Sequence, residues 1–272
     1  ISRGEVFVTA LDYSITKRIT NTAAQERSIS FSPDGRTLLY AGERNESWNI
    51  YRTDLVRKEE KLFYNSTELK ETPVLETSVE TFQPAFSPDG KEVAYLEERT
   101  ELKVINLETK AIRTIMTREK NYSYSDGDIH YEWSPDGKWF LMEYLAFNRW
   151  NGDIGLVDAQ GKKVINLTES GYSNNRAKWM MDGKMLIWFS GRHGMKSHGS
   201  WGTESDAYGI FLEKAAYRIF NMPKYEFLTY KKEKEKEEKV KKEKDEKGKK
   251  DDAQKEDDDH KPKKIEPVNF DL

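Results

Sequence analysis

The 272-residue chain is polar, with 36% hydrophobic and 34% charged residues and a formal net charge of −3. It holds no cysteine, which excludes a disulfide framework, a Cys-x-x-Cys redox site and thiolate metal sites. No apolar run approaches the roughly 18–20 residues needed to span a bilayer, and no part carries the basic excess expected of a nucleic-acid binder.

Taken from the start, Ile1-Ser2-Arg3-Gly4-Glu5 contains no initiator Met and no apolar signal core, so the chain reads as an internal piece of a longer polypeptide. Residues 5–9 and 17–20 form two short β-rich runs. Then a turn recurs: Ser32-Pro33-Asp34-Gly35, Ser87-Pro88-Asp89-Gly90 and Ser134-Pro135-Asp136-Gly137, with a degenerate fourth copy in Met180-Met181-Asp182-Gly183. Successive spacings of 55, 47 and 46 residues lie close to the period of a four-stranded propeller blade. Proline supplies the φ that the second position of a type I turn needs, Asp suits the third, and Gly takes the left-handed fourth. That combination is a common three-residue hairpin connection.

Each turn is flanked by β-rich segments: 28–31 and 37–40, 83–86 and 92–96, 129–133 and 139–144, 176–179 and 185–189. An aromatic residue precedes every turn (Phe31, Phe86, Trp133, Trp179), as expected of a core position repeated from blade to blade. A second hairpin follows each first one: 49–55 with 61–64, 102–107 with 111–115, and 153–158 with 164–168. Two hairpins per period make a four-stranded unit that must stack on neighbours to bury both of its faces. Residues 5–20 match only a second hairpin, so the chain is expected to begin mid-blade, and 207–212 reads as a third strand.

The sequence therefore predicts an all-β fold, a β-propeller of about four and a half four-stranded blades in an incomplete ring. Blades are expected over 1–212 and a short helical insertion over 213–230. Residues 231–264, with 15 Lys and 13 acidic residues, are expected to form a disordered or solvated helical tract, because they cannot bury enough apolar surface to order themselves. Residues 265–272 read as a return strand to the propeller.

Chemistry-bearing patterns are sparse. No Ser sits in a Gly-x-Ser-x-Gly elbow and no Gly-rich phosphate loop follows a strand, so no catalytic residue and no cofactor is assigned. Asp126-Gly127-Asp128 lacks the remaining ligands of a calcium loop and reads as a turn. His193 and His198 lie five apart in a Gly/Ser-rich loop without the companions of a zinc set, so no metal site is assigned. His130 alternates with apolar neighbours and reads as a wall residue of its sheet. Most of the tryptophans fall at repeated strand positions and read as packing; Trp150 and Trp201 lie in loops. The candidate substrate-binding residues are thus Trp150, His193, His198 and Trp201.

Three further stretches carry a family resemblance: residues 4–8 with 19–22 and 25–27, residues 191–212, and the 215–221 segment running into the charged tract. With the Ser-Pro-Asp-Gly hairpins, they resemble TolB-like propeller repeats and, within these, the propeller region of bacterial tricorn-like serine peptidases, relatives of the C-terminal processing peptidases. The resemblance implies a periplasmic or secreted protein whose propeller gates or docks peptide for a serine peptidase domain outside this chain. The implied partners are a peptide or unfolded protein and the remaining domains of the same polypeptide, with no nucleic acid, no membrane span and oligomerisation left open. The alternative is a TolB-like periplasmic propeller acting as a protein-interaction scaffold without enzymatic activity; a glycan- or ligand-sensing propeller is a third reading.

Overall fold

The computed structural model describes residues 1–123, 129–147, 151–196, 204–248 and 267–268. Trp150, His198, Trp201 and the Asp126-Gly127-Asp128 turn lie outside them. The chain opens with a two-stranded hairpin, β1 (Phe7–Thr9) and β2 (Thr16–Arg18). Next come two antiparallel four-stranded sheets. The first is β3 (Glu26–Phe31), β4 (Thr37–Arg44), β5 (Ser47–Leu55) and β6 (Leu69–Leu75); the second is β7 (Thr81–Phe86), β8 (Glu92–Glu97), β9 (Glu101–Asn106) and β10 (Ile112–Met116). The third sheet is β11 (Tyr131–Trp133), β12 (Trp139–Tyr144), β13 (Asp153–Asp158) and β14 (Val164–Asn166). A fourth has three strands among the described residues, β15 (Asn174–Met180), β16 (Met185–Ser190) and β17 (Asp206–Phe211). Every sheet is a meander whose strands pair in chain order, and the fold is a β-propeller of stacked blades.

The Ser-Pro-Asp-Gly turns are built identically. The Ser32 hydroxyl donates to Asp34 Oδ1 (2.6 Å), the Arg36 amide donates to the same oxygen (3.0 Å), and the Gly35 amide closes the turn on the Ser32 carbonyl (2.9 Å). The same three bonds recur around Asp89 and, from Lys138, around Asp136. Burial works against charge on Asp34 and Asp89, but the hydroxyl and amide donors outweigh it and hold both carboxyls below their ordinary range. Gly35, Gly90 and Gly137 all have φ near +70° (69°, 71° and 69°), the left-handed region that favours glycine. In the fourth turn Met181 stands at the proline position. Without the ring to restrain it, Met181 has φ 53° and Asp182 φ 54°, so both central residues are left-handed.

The turns also touch one another. A Cβ placed on Gly90 would lie 3.6 Å from the Pro33 ring, one on Gly137 3.5 Å from Pro88, and one on Gly183 3.2 Å from Pro135. Each proline therefore seats against the glycine of the next blade's turn. A Cβ placed on Gly35 would have nothing within 4 Å among the described residues.

Between the turns and the outer strands lie the inter-blade cores. Val6, Leu38, Tyr40, Tyr51 and Phe63 join the first hairpin to the first full blade. Leu39, Ile50, Val93 and Tyr95 join first to second, Leu96, Val104, Tyr131 and Phe140 second to third, and Leu141, Leu156, Ala177 and Leu186 third to fourth. The one-residue alternation is exact in its effect: Leu38 and Tyr40 face the preceding sheet while Leu39 faces the next.

Two expectations need correction. The segment 61–64 is not a strand; Phe63 buries its ring against Leu38, Tyr40, Tyr51 and Leu55 by entering a 3-10 turn (Phe63–Asn65), and β6 follows it at Leu69–Leu75. Pro73 fits there because β6 is an edge strand. The pre-turn aromatics do not form a uniform core either: Phe86, Trp133 and Trp179 are half-buried between blades, whereas Phe31 is 48% exposed.

After β17 the chain forms α1 (Lys214–Phe220) and α2 (Lys224–Gly248). Phe211 of β17 packs on Tyr217 and Phe220 of α1, with ring centroids 5.3 and 5.2 Å away. The described side chains of α2 are almost all exposed. The two described residues near the end, Pro267 and Val268, return to the turns: the Val268 amide donates to Asp136 (2.9 Å), and its side chain lies against Gly183. Neither belongs to a strand, and the rest of 265–272 lies outside the described residues.

Candidate functional site

The first strand of each blade (β3, β7, β11, β15) is an edge strand among the described residues, and β3 packs close against β7. In a propeller the edge strands that converge from blade to blade line the axial channel. Three of them carry the same distortion. Ser28 and Ile29 together oppose Tyr40, Gln83 and Pro84 oppose Tyr95, and Arg176 and Ala177 oppose Trp188. The first residue of each pair is left-handed, with φ of 55°, 49° and 53°. These are β-bulges, which bend the strand and re-aim its side chains. Exposed side chains on these strands include Arg27, Ile29, Arg176 and Lys178. Neither Ser, Gln nor Arg signals a left-handed backbone, so the sequence offered no cue to the bulges.

The third blade departs from the repeat. Its corresponding residue is His130, whose carbonyl accepts the Glu143 amide (3.1 Å), so the ladder continues unbulged. At the position where the first two blades bury Ala41 and Leu96, β12 carries Glu143. A polar joint results between the third and fourth blades. His130 Nε2 lies 2.9 Å from the Ala177 carbonyl and 3.4 Å from Glu132 Oε1. The Trp179 amide donates to Glu132 Oε2 (3.3 Å), and the Arg176 amide donates to Glu143. His130 is thus a tie to the next blade rather than a wall residue. Gln83 makes the equivalent tie one blade earlier, its Nε2 donating to the Ile129 carbonyl at 3.0 Å.

The electrostatics of the joint follow from these contacts. The hydrogen bond and charge of Glu132 raise the His130 pKa against the opposing effect of burial. Burial raises that of Glu143, opposed by the Arg176 amide. The joint can take up or release a proton, and among the described residues the partners of the His130 side chain are the Ala177 carbonyl and Glu132.

A second polar clasp holds the first hairpin. Glu5 accepts from Arg18 (2.7 Å), the Thr20 hydroxyl (2.7 Å) and the Thr22 amide (3.1 Å), and the Arg18 bond foremost holds its pKa low. Fully buried Glu26 takes the Thr22 hydroxyl (2.7 Å) and Arg44 (3.2 Å), which also pairs with Glu71. Residues 4–8, 19–22 and 25–27, read from the sequence as one signature, thus meet as one scaffold that fixes β1 and β2 on the first full blade.

Of the predicted binding residues, His193 is exposed beside β17, where its Nδ1 lies 2.8 Å from the Tyr208 hydroxyl. Tyr208 in turn stacks on Trp188 at 6.0 Å. Trp48 is buried against Phe82, and Trp133, Trp139, Trp179 and Trp188 pack into blade interfaces. Among the described residues no group of three or more His, Asp or Glu could hold a metal ion, and no helix is long and apolar enough to cross a membrane.

No protein-family model matches this chain, and no curated protein does. Solved structures do. TolB from Acinetobacter baumannii matches with a TM-score of 0.50 and 20% identity over 76% of this chain, and a putative TolB from Agrobacterium tumefaciens with 0.52 and 16% over 78%. The tricorn protease matches with a TM-score of 0.57 and 14% identity over 83% of this chain. The matched region spans 46% of the Acinetobacter protein, 76% of the Agrobacterium protein and 21% of the tricorn protease. At these identities the likeness defines the fold alone, and that fold is a TolB-like β-propeller.

Proposed function

We propose that this chain is a non-catalytic propeller segment that docks or gates an extended peptide for a serine peptidase domain lying outside residues 1–272, in a periplasmic or secreted protein. The observation that carries this reading is the row of bulged edge strands, which carry the exposed side chains of Arg27, Ile29, Arg176 and Lys178. Side chains presented in register along a groove set selectivity for an extended peptide, and three of these are cationic. The tricorn protease, matched over 83% of this chain, supports the link to proteolysis.

The test is fluorescence anisotropy with labelled, unfolded polypeptide, run alongside a hydrolysis assay on the same mixture. Saturable binding without cleavage, weakened about tenfold by Arg176→Glu with Lys178→Glu, is the expected result. Cleavage by this chain, or binding indifferent to both substitutions, overturns the reading. The second reading, a propeller scaffold for folded partners, is favoured by the two TolB likenesses; capture of a folded partner with no affinity for unfolded chains would select it.

A further inference from the structure

The three seams between the four blades differ at the corner nearest the edge strands. At the first seam that corner is apolar, with Ala41, Trp48 and Phe82 in one cluster, and at the second Leu96 packs with Ile129 and Tyr131. At the third, Glu143 of β12 takes the place, and His130, Glu132 of β11 and Arg176 of β15 gather around it. His130 and Arg176 both act on Glu143 through their charges, and Glu132 and Glu143 act on His130. The neighbouring elements add little. β7 reaches Ile129 through Gln83 and carries no titratable group, and β16 carries none. On β13, which pairs with β12, the Asp153 oxygens are taken by Asn166 and Thr168; Lys178 lies exposed two residues beyond Arg176. β11 and β15 are edge strands, and the His130 and Glu132 side chains stay 32% and 31% exposed.

We infer that this corner makes the channel hold acidic stretches of an unfolded polypeptide in acid and release them as His130 and Glu143 give up their protons. The inference rests on the peptide-docking reading and names what that channel selects. With both groups protonated, His130 and Arg176 are cationic and only Glu132 opposes them, so the corner carries one positive charge. With both deprotonated, Arg176 alone opposes Glu132 and Glu143, and the corner carries one negative charge. The pKa of His130 is raised by its contact with Glu132 and that of Glu143 by burial. The inversion of sign therefore falls between about pH 5 and about pH 8, above the range in which a peptide's own carboxyl groups ordinarily titrate. Linkage requires the converse: an acidic peptide bound beside Arg176 draws protons onto the corner.

The test is fluorescence anisotropy of the whole chain with two labelled, unfolded peptides of equal length, one Glu-rich and one Lys-rich, at about pH 5.5 and about pH 8. Circular dichroism checks that the chain is folded at both. The Glu-rich peptide is expected to bind about tenfold tighter at the lower pH, and the Lys-rich peptide to change in the opposite direction. Calorimetry in two buffers of different ionisation enthalpy should show protons taken up with the Glu-rich peptide. His130→Gln with Glu143→Gln should keep binding and remove both effects. Should that pair fail to fold, Glu143→Leu, which gives the third seam the side chain Leu96 gives the second, should remove the part due to Glu143. Equal affinity for the Glu-rich peptide at both pH values, or full pH dependence in the folded variants, overturns this inference and leaves peptide docking standing. Failure of both peptides to bind at either pH overturns the docking reading, and this inference with it.

Discussion

Gly35 and Gly90 share a backbone conformation and differ in their surroundings, which separates two costs usually measured together. Both have left-handed φ, but Gly90 faces the Pro33 ring and Gly35 faces open space. Asparagine tolerates this backbone better than other non-glycine residues. Gly35→Asn is therefore expected to unfold at nearly the wild-type urea midpoint, while Gly90→Asn, whose Cβ meets the Pro33 ring at an ordinary contact distance and whose amide alone must find room beyond it, loses about 1 kcal/mol. Equal losses at both positions would show that the proline contact carries no strain. The same contrast explains Phe31, whose pre-turn position is shared with Trp133 but whose covering neighbour is not.

Among the elements, the joint between the third and fourth blades is the one built on protons. Raised pKa values at His130 and Glu143 mean that the folded state holds more protons there than the unfolded chain does. Stability then falls as pH rises, first above the ordinary carboxyl range for Glu143 and again above the ordinary imidazole value for His130. Asp34 and Asp89 act oppositely, and only below the ordinary carboxyl range. Urea midpoints should accordingly drop between about pH 5 and about pH 8, and the His130→Gln, Glu143→Gln double variant should flatten that drop. An unchanged slope in the double variant would place the dependence elsewhere.

How much of this was legible beforehand divides along the same line. The hairpins could be read because proline, aspartate and glycine state their backbone angles locally. Phe63 was misread as part of a strand because its burial depends on Tyr40 and Tyr51, which reach it only after folding. The bulges at Ser28, Gln83 and Arg176 left no compositional trace, and the ties from Gln83 and His130 end on carbonyls 46 and 47 residues away. Of the four loop residues proposed for binding, only His193 is described, and its described ring partner is Tyr208.

Across the whole molecule, the cores lie between adjacent sheets, so stability is expected to add blade by blade through nearest-neighbour terms. Phe140 is fully buried between the second and third blades. Phe140→Ala should cost about 3–5 kcal/mol, and its effect on amide exchange should concentrate in the strands from β7 to β14. Uniform loss of protection from β3 to β17 would mean that the stack unfolds as one unit.

The proline-on-glycine ladder gives that arrangement a further property. From turn to turn the proline-on-glycine contacts run in series, so a displacement at Pro33 reaches Gly90 directly but must cross two more such contacts before it is felt at Gly183. A stack joined in this way is expected to act as a damper, attenuating an event on one face blade after blade before it arrives at the other.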